Sequence, residues 1–137
     1  MQPERVQRSR QKGFKMIHPN GLPNYYVGRP GKYGNPFKLI GDAVYVDASH
    51  RRVVMDKWIY LCQGTEQTVQ DLYRMVITDS FSADIIQIDV KSMYDINYWV
   101  NKFELLDLEE LRGNNLYCFC GKDDKCHADV LLELANK

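Results

Sequence analysis

Leu116 to Leu134, LYCFCGKDDKCHADVLLEL, is the stretch that decides how the chain is read. Leu116 to Cys120 is a short apolar run of β type, and Ala128 to Asn136 carries apolar residues at helical spacing. The two predict a strand, a loop and the start of a helix. Three of the four cysteines, Cys118, Cys120 and Cys126, fall within nine residues here, and His127 follows the last of them. A turn from a strand into a helix is where α/β proteins commonly bind ligands.

The same alternation extends outward. Tyr25 to Gly28 reads as a short strand and Arg5 to Arg10 as a short edge strand. Thr68 to Thr78 places Val69, Leu72, Tyr73, Val76 and Ile77 on one helical face. Val44 to Asp47 and Arg51 to Val54 read as a hairpin across Ala48-Ser49-His50; alternatively, Val53 to Cys62 begins a helix, with Val54, Trp58 and Leu61 at helical spacing. Ser82 to Val90 reads as a strand with Ile86, Ile88 and Val90 on one face. Tyr94 to Leu106 fits either type, and Leu105 to Leu111 reads as a short acidic helix closed by Gly113. Cys62, Trp58, Trp99, Leu72 and Ile88 read as core, and His18 and His50 as bystanders in turns. With no repeat or clear linker, residues 1–137 read as a single small α/β domain. Its expected form is a central mixed sheet flanked by helices, in a Rossmann-like three-layer arrangement, with the C-terminal strand internal.

Composition narrows the function classes. The chain has 137 residues, 45% of them hydrophobic, enough for one packed core and too apolar for disorder. No apolar run reaches a membrane span and the N-terminus has no apolar signal core, which predicts a cytoplasmic protein with reduced thiols. Net charge is zero but unevenly spread: residues 1–40 hold eight Lys and Arg against Glu4, a net +7, and the remainder carries −7. Clustered basic charge favours an anionic partner such as a phosphate, nucleotide or nucleic acid.

Three constellations carry chemistry. In the first, Cys118, Cys120, Cys126 and His127 form a legitimate zinc ligand set. The one-residue gap between the first two and the adjacency of the last two suit an ion poorly, so zinc is the alternative and no cofactor the expectation. Cys118 and Cys120 then read as small buried residues. Cys126, near a helix N-terminus that lowers a thiol pKa, becomes the candidate nucleophile, with His127 as base and Asp129 presenting a carboxylate. The second is the loop Tyr26-Val-Gly-Arg-Pro-Gly-Lys-Tyr-Gly-Asn-Pro-Phe37. Gly28, Gly31 and Gly34 allow unusual backbone shapes or close approach, Arg29 and Lys32 suit a phosphate, Tyr33 suits base stacking, and Asn35 completes the ligand-binding set. It matches neither the P-loop nor the dinucleotide fingerprint. The third is the basic N-terminal segment, Arg5, Arg8, Arg10, Lys12 and Lys15, spaced to coat a surface or contact nucleic-acid phosphates.

Three blocks together resemble an uncharacterised family of bacteria and phages, domain of unknown function 4326. They are Arg5-Val-Gln-Arg-Ser-Arg-Gln-Lys-Gly-Phe-Lys-Met16, the loop from Tyr26 to Phe37, and Leu111-Arg-Gly-Asn-Asn-Leu-Tyr-Cys-Phe-Cys120 continuing through Cys126-His-Ala-Asp-Val-Leu-Leu-Glu-Leu-Ala-Asn136. The middle, about residues 40 to 108, looks family-variable and adds little to the likeness. The resemblance implies no activity; it marks the same three segments as the family's signature. The Cys–His turn is also distantly similar to a second uncharacterised α/β family in which Cys-His-Arg opens the final helix, where this chain has Ala128.

Taken together, the expectation is a small protein that binds a nucleotide or other phosphate-bearing ligand; whether it is also an enzyme acting on nucleotides, nucleosides or nucleic-acid bases is left open by the residues. The alternatives are a nucleic-acid-binding module using the basic N-terminal segment and a zinc-stabilised structural or interaction domain.

Overall fold

The structure, a computed structural model, describes residues 2–7, 20–29, 31–51, 57–82, 88, 92–120 and 124–137. In chain order the elements are β1 (Arg5–Gln7), β2 (Asn24–Tyr26), β3 (Phe37–Ile40), β4 (Ala43–Asp47), β5 (Trp58–Gln63), α1 (Glu66–Ile77), α2 (Met93–Glu104), a 3-10 helix (Leu108–Leu111), β6 (Asn115–Cys118) and α3 (His127–Ala135). Three helices and two small sheets make this an α/β protein. In place of one central mixed sheet, the described strands form two three-stranded sheets, one parallel and one antiparallel. A Rossmann-like order of layers does not follow from them. Contacts divide the chain into two units, Met1–Gly34 with Leu106–Lys137, and Asn35–Leu105. No helix among the described residues is long and apolar enough to cross a membrane.

The first unit is built on the parallel sheet, ordered β1-β6-β2. The C-terminal strand is internal, as its apolar run predicts, with Leu116 and Asn115 fully buried. Parallel register sets Gln7 opposite Cys118 and Tyr26 opposite Tyr117, so all three strands end at one edge of the sheet. Helix α3 packs against β6 and β1 and buries Ala128, Val130, Leu131 and Ala135.

At the opposite edge the starts of the strands are tied together by one side chain. Asn115 Oδ1 accepts from Glu4 N at 2.9 Å and from Asn20 Nδ2 at 3.0 Å. Its Nδ2 donates to Asn20 Oδ1 at 2.8 Å and to Asn24 Oδ1 at 3.1 Å. Each bond reaches a segment leading into β1 or β2, so the amide sets their register on β6.

The second unit is the antiparallel sheet β3-β4-β5 with α1 and α2. Gly41, at φ 65°, turns β3 into β4. Phe37, Val44, Val46 and Leu61 of the sheet are buried, as are Leu72, Tyr73 and Val76 of α1 and Ile96, Val100 and Phe103 of α2. The helix expected over Thr68 to Thr78 is α1, and the ambiguous stretch after Tyr94 is α2. Two expectations are corrected. Trp58 to Cys62 is strand, because β4 offers it a ladder and its aromatic and β-branched residues suit a pleated surface. Strand β4 pairs with β3 and β5; of the arm expected over Arg51 to Val54, residues 52–54 lie outside the described residues. The strand expected over 82–90 lies almost wholly outside them too.

His50, read as a bystander, is 8% exposed and stacks on Tyr98 with ring centroids 3.8 Å apart. Its Nε2 is 3.2 Å from Asp95 Oδ1, a buried carboxylate that Arg51 Nε and Nη2 grip at 2.9 and 2.6 Å. Arg51 already balances the Asp95 charge, so a proton on His50 adds an uncompensated one. Burial accordingly holds the His50 pKa below its ordinary 6.5, against the pull of Asp95.

Two measurements test this account. Asn115→Ala leaves several part-buried donors and acceptors without their partner and lowers unfolding free energy by about 1–3 kcal/mol in urea titrations; a loss within error of zero removes the amide from its role. For His50, the unfolded chain binds the proton near pH 6.5 and the folded one only below that. Stability is therefore full above that pH and falls as pH drops towards the folded value. His50→Phe should flatten the drop in melting temperature between about pH 7.5 and about pH 5.5; an unchanged drop locates the dependence elsewhere.

Candidate thiol site at the C-terminal edge of the parallel sheet

Strand β6 stops at Cys118, and the chain bends through Phe119 and Cys120 before α3 begins. The loop returns Cys126 to the strand end, with Cys126 Sγ 3.0 Å from Cys118 Sγ. Cys118, Cys120 and Cys126 all have Sγ atoms within 4.8 Å of one another, a cluster that could hold a metal ion. Sequence spacing weighed against this because it counts residues along the chain and is blind to a loop that folds back. Cys118 and Cys126 are buried and Cys120 half-buried.

His127 does not join the sulfur cluster. Its Nε2 is 2.6 Å from the carbonyl oxygen of Val27. A carbonyl only accepts, so Nε2 carries the proton and donates. In the neutral ring Nδ1 is then an acceptor, 3.7 Å from Cys126 Sγ. This leaves a thiol and an imidazole nitrogen side by side. It also fastens the end of β2, where the Gly/Arg loop starts, to the first turn of α3.

The three sulfurs differ in acidity. Hydrogen bonds from Cys118 and then Cys120 hold Cys126 well below the ordinary thiol value, against burial, with His127 adding to the effect. Cys118 is pushed up to about 11: its bond with Cys120 lowers it, and the bond with Cys126 and burial outweigh that. Cys120 is raised by its bonds to Cys118 and Cys126. Cys126 is the thiol pushed downward, and it stands at the N-cap of α3, where the helix dipole favours a negative charge.

Arg5 belongs to this site. Its Nε lies 3.3 Å from Asp129 Oδ1. Burial lowers the guanidinium pKa, and a hydrogen bond with Cys126, joined by Asp129, more than restores it. Asp129 therefore faces Arg5 instead of presenting a free carboxylate to the thiols; its own pKa is raised by burial, against Arg5. The sequence read Arg5 as a phosphate contact, and nothing in its spacing signalled a sulfur partner. Arg8, Arg10, Lys12 and Lys15 lie outside the described residues.

The Gly/Arg loop turns twice, Gly31 N bonding Gly28 O at 3.0 Å and Gly34 N bonding Gly31 O at 2.9 Å. None of its glycines is at positive φ; they are needed for space. The Tyr26 hydroxyl crosses Gly28 to donate to Arg29 O at 2.6 Å, and a Cβ on Gly28 would come 2.5 Å from the Tyr26 hydroxyl oxygen. Lys32 Nζ is 2.7 Å from Glu110 Oε1, on the 3-10 helix. Tyr33, expected to stack on a base, is 1% exposed. Its hydroxyl donates to Asp107 O and to Glu110, which also accepts from Tyr25. Glu110 is the hub that docks this loop, and the sequence showed it only as one acid in an acidic stretch. Asn35 falls in the other unit, where its Oδ1 accepts from Phe37 N at 2.9 Å and turns the chain into β3. Of the expected ligand set, Gly28 and Arg29 remain at the edge beside His127, Gly28 buried and Arg29 exposed.

No curated protein and no solved structure matches the chain. A family profile does match, over residues 6–137, and the chain belongs to that family, described as Domain of unknown function (DUF4326).

Proposed function

We propose that the strand-end edge of the parallel sheet binds a nucleotide or other phosphate-bearing ligand and that Cys126 is the nucleophile acting on it. The observation that carries this reading is the His127 Nε2 to Val27 O hydrogen bond, 2.6 Å long, which brings the start of the Gly/Arg loop to the Cys–His turn. Arg29, exposed at this edge, supplies the guanidinium donors for an anion. His127 Nδ1 takes the thiol proton, and Arg5 favours the resulting thiolate. Lys32 has its charge answered by Glu110 and is left out of the anion site. A thermal-shift screen of nucleotides and nucleosides is the test. At least one phosphate-bearing compound should raise the melting temperature of the wild type and raise it less in Arg29→Ala. No shift with any compound ends the proposal.

The convergence of the three thiols favours a second reading, a zinc ion held by Cys118, Cys120 and Cys126. At a Zn–S distance of about 2.3 Å, tetrahedral thiolates stand roughly 3.8 Å apart, so the Cys118–Cys126 pair would open by under about 1 Å from its 3.0 Å. Such an ion would occupy the sulfur that the first reading makes the nucleophile, and metal content separates the two. Elemental analysis of the purified protein should find about one equivalent of zinc, lost in Cys118→Ser, with a chelator lowering the melting temperature; less than about a tenth of an equivalent excludes it.

A further inference from the structure

In the antiparallel unit the two faces of the sheet differ. Phe37, Val44, Val46 and Leu61 point to the core formed with α1 and α2. The other face carries a row in direct cross-strand register, Lys38 on β3, Tyr45 on β4 and Tyr60 on β5. Tyr45 and Tyr60 meet edge to face at 5.9 Å. Beside this row stands Trp58, with Lys38 Nζ 5.3 Å and Lys57 Nζ 5.4 Å from its ring. Tyr60 is 48% exposed and Lys57 56%. Asp47 is the acid nearby; it is 3.8 Å from Lys57 and accepts from Ser49 N and Oγ. Lys38 is exposed as well, and Tyr45 and Trp58 are half-buried.

Aromatic rings held on a sheet, with ammonium groups beside them, match single-stranded nucleic acid on both its chemistries. Bases have π faces for Tyr and Trp, and the backbone phosphates take the lysines. A duplex hides the faces of its bases in the stack and offers phosphates and base edges, which give the rings nothing to stack on. A protein partner would use the rings but has no general need of the lysines. We infer that the face formed by Lys38, Tyr45, Lys57, Trp58 and Tyr60 binds single-stranded nucleic acid, stacking about two or three bases on its rings. This site is separate from the thiol edge and independent of the function proposed for it.

Fluorescence anisotropy of the full chain with a labelled oligothymidylate tests it, with duplex DNA of equal length alongside. The single strand should bind more tightly than the duplex. Tyr60→Ala should weaken binding roughly ten-fold or more, Tyr60→Phe should retain it, and melting curves of both variants verify folding. Lys38→Gln and Lys57→Gln should each flatten the dependence of log affinity on log salt by about 0.7. Absence of binding, equal binding of duplex, or affinity unchanged in Tyr60→Ala overturns the inference; so does concentration-dependent self-association that Tyr60→Ala abolishes while nucleic acid fails to bind.

Discussion

A three-residue strand makes too few ladder hydrogen bonds to hold its own register, and β1 and β2 have three residues each. The side-chain amide of Asn115 supplies what they lack. Buried at the start of β6, it bonds to the backbone before β1 and to side chains before and within β2. Parallel neighbours from distant parts of a chain pay the full entropy of being brought together before any contact rewards it. A buried amide that is satisfied only in one alignment makes that alignment specific, since any slip leaves polar groups unpaired at a cost of about 1–3 kcal/mol each.

That alignment has a chemical consequence at the far edge. Because the three strands run the same way in fixed register, Gln7, Val27 and Cys118 come out together. Arg5, the Gly/Arg loop and the Cys–His turn are distant in the sequence and become neighbours there. His127 seals the arrangement: one ring nitrogen is committed to Val27 O and the other is left to Cys126. The same contacts divide the basic residues by role. Arg5 is drawn to Asp129 and the sulfur, and Lys32 to Glu110, so the count of basic residues in the first third overstates what is on offer to an anion.

In the second unit the comparable polar constraint is Asp95, fully buried and held by two bonds from Arg51. Removing one partner of such a pair is costly because the other charge stays buried. The pair ties the turn after β4 to α2, and Trp99 repeats the link by donating to Asp47 O at 2.9 Å. None of this was legible in the residues themselves. An Asp in a helix and a His-Arg pair in a turn read as surface groups until folding brings them together.

Local pattern was enough for much of the fold. The 3.6-residue repeat of α1, the apolar run of β6 and the start of α3 after Cys126 all follow from side-chain periodicity, which a helix or strand obeys wherever it sits. The internal place of β6 followed as well, because only a covered strand is apolar on both faces. Pattern failed where pairing decides. Trp58 to Cys62 suits a strand or a helix, and β4 settles it by offering a ladder. It failed likewise at the site. The sequence by itself determined that thiols and an imidazole gather where a strand turns into a helix. Tertiary structure alone decided that the three sulfurs converge, that Arg5 is their cation, that Tyr33 is buried and that Glu110 holds the loop. The physical reason is the same in each case: these are contacts between segments far apart in the chain, and their partners are chosen by strand register and burial, which no local spacing encodes.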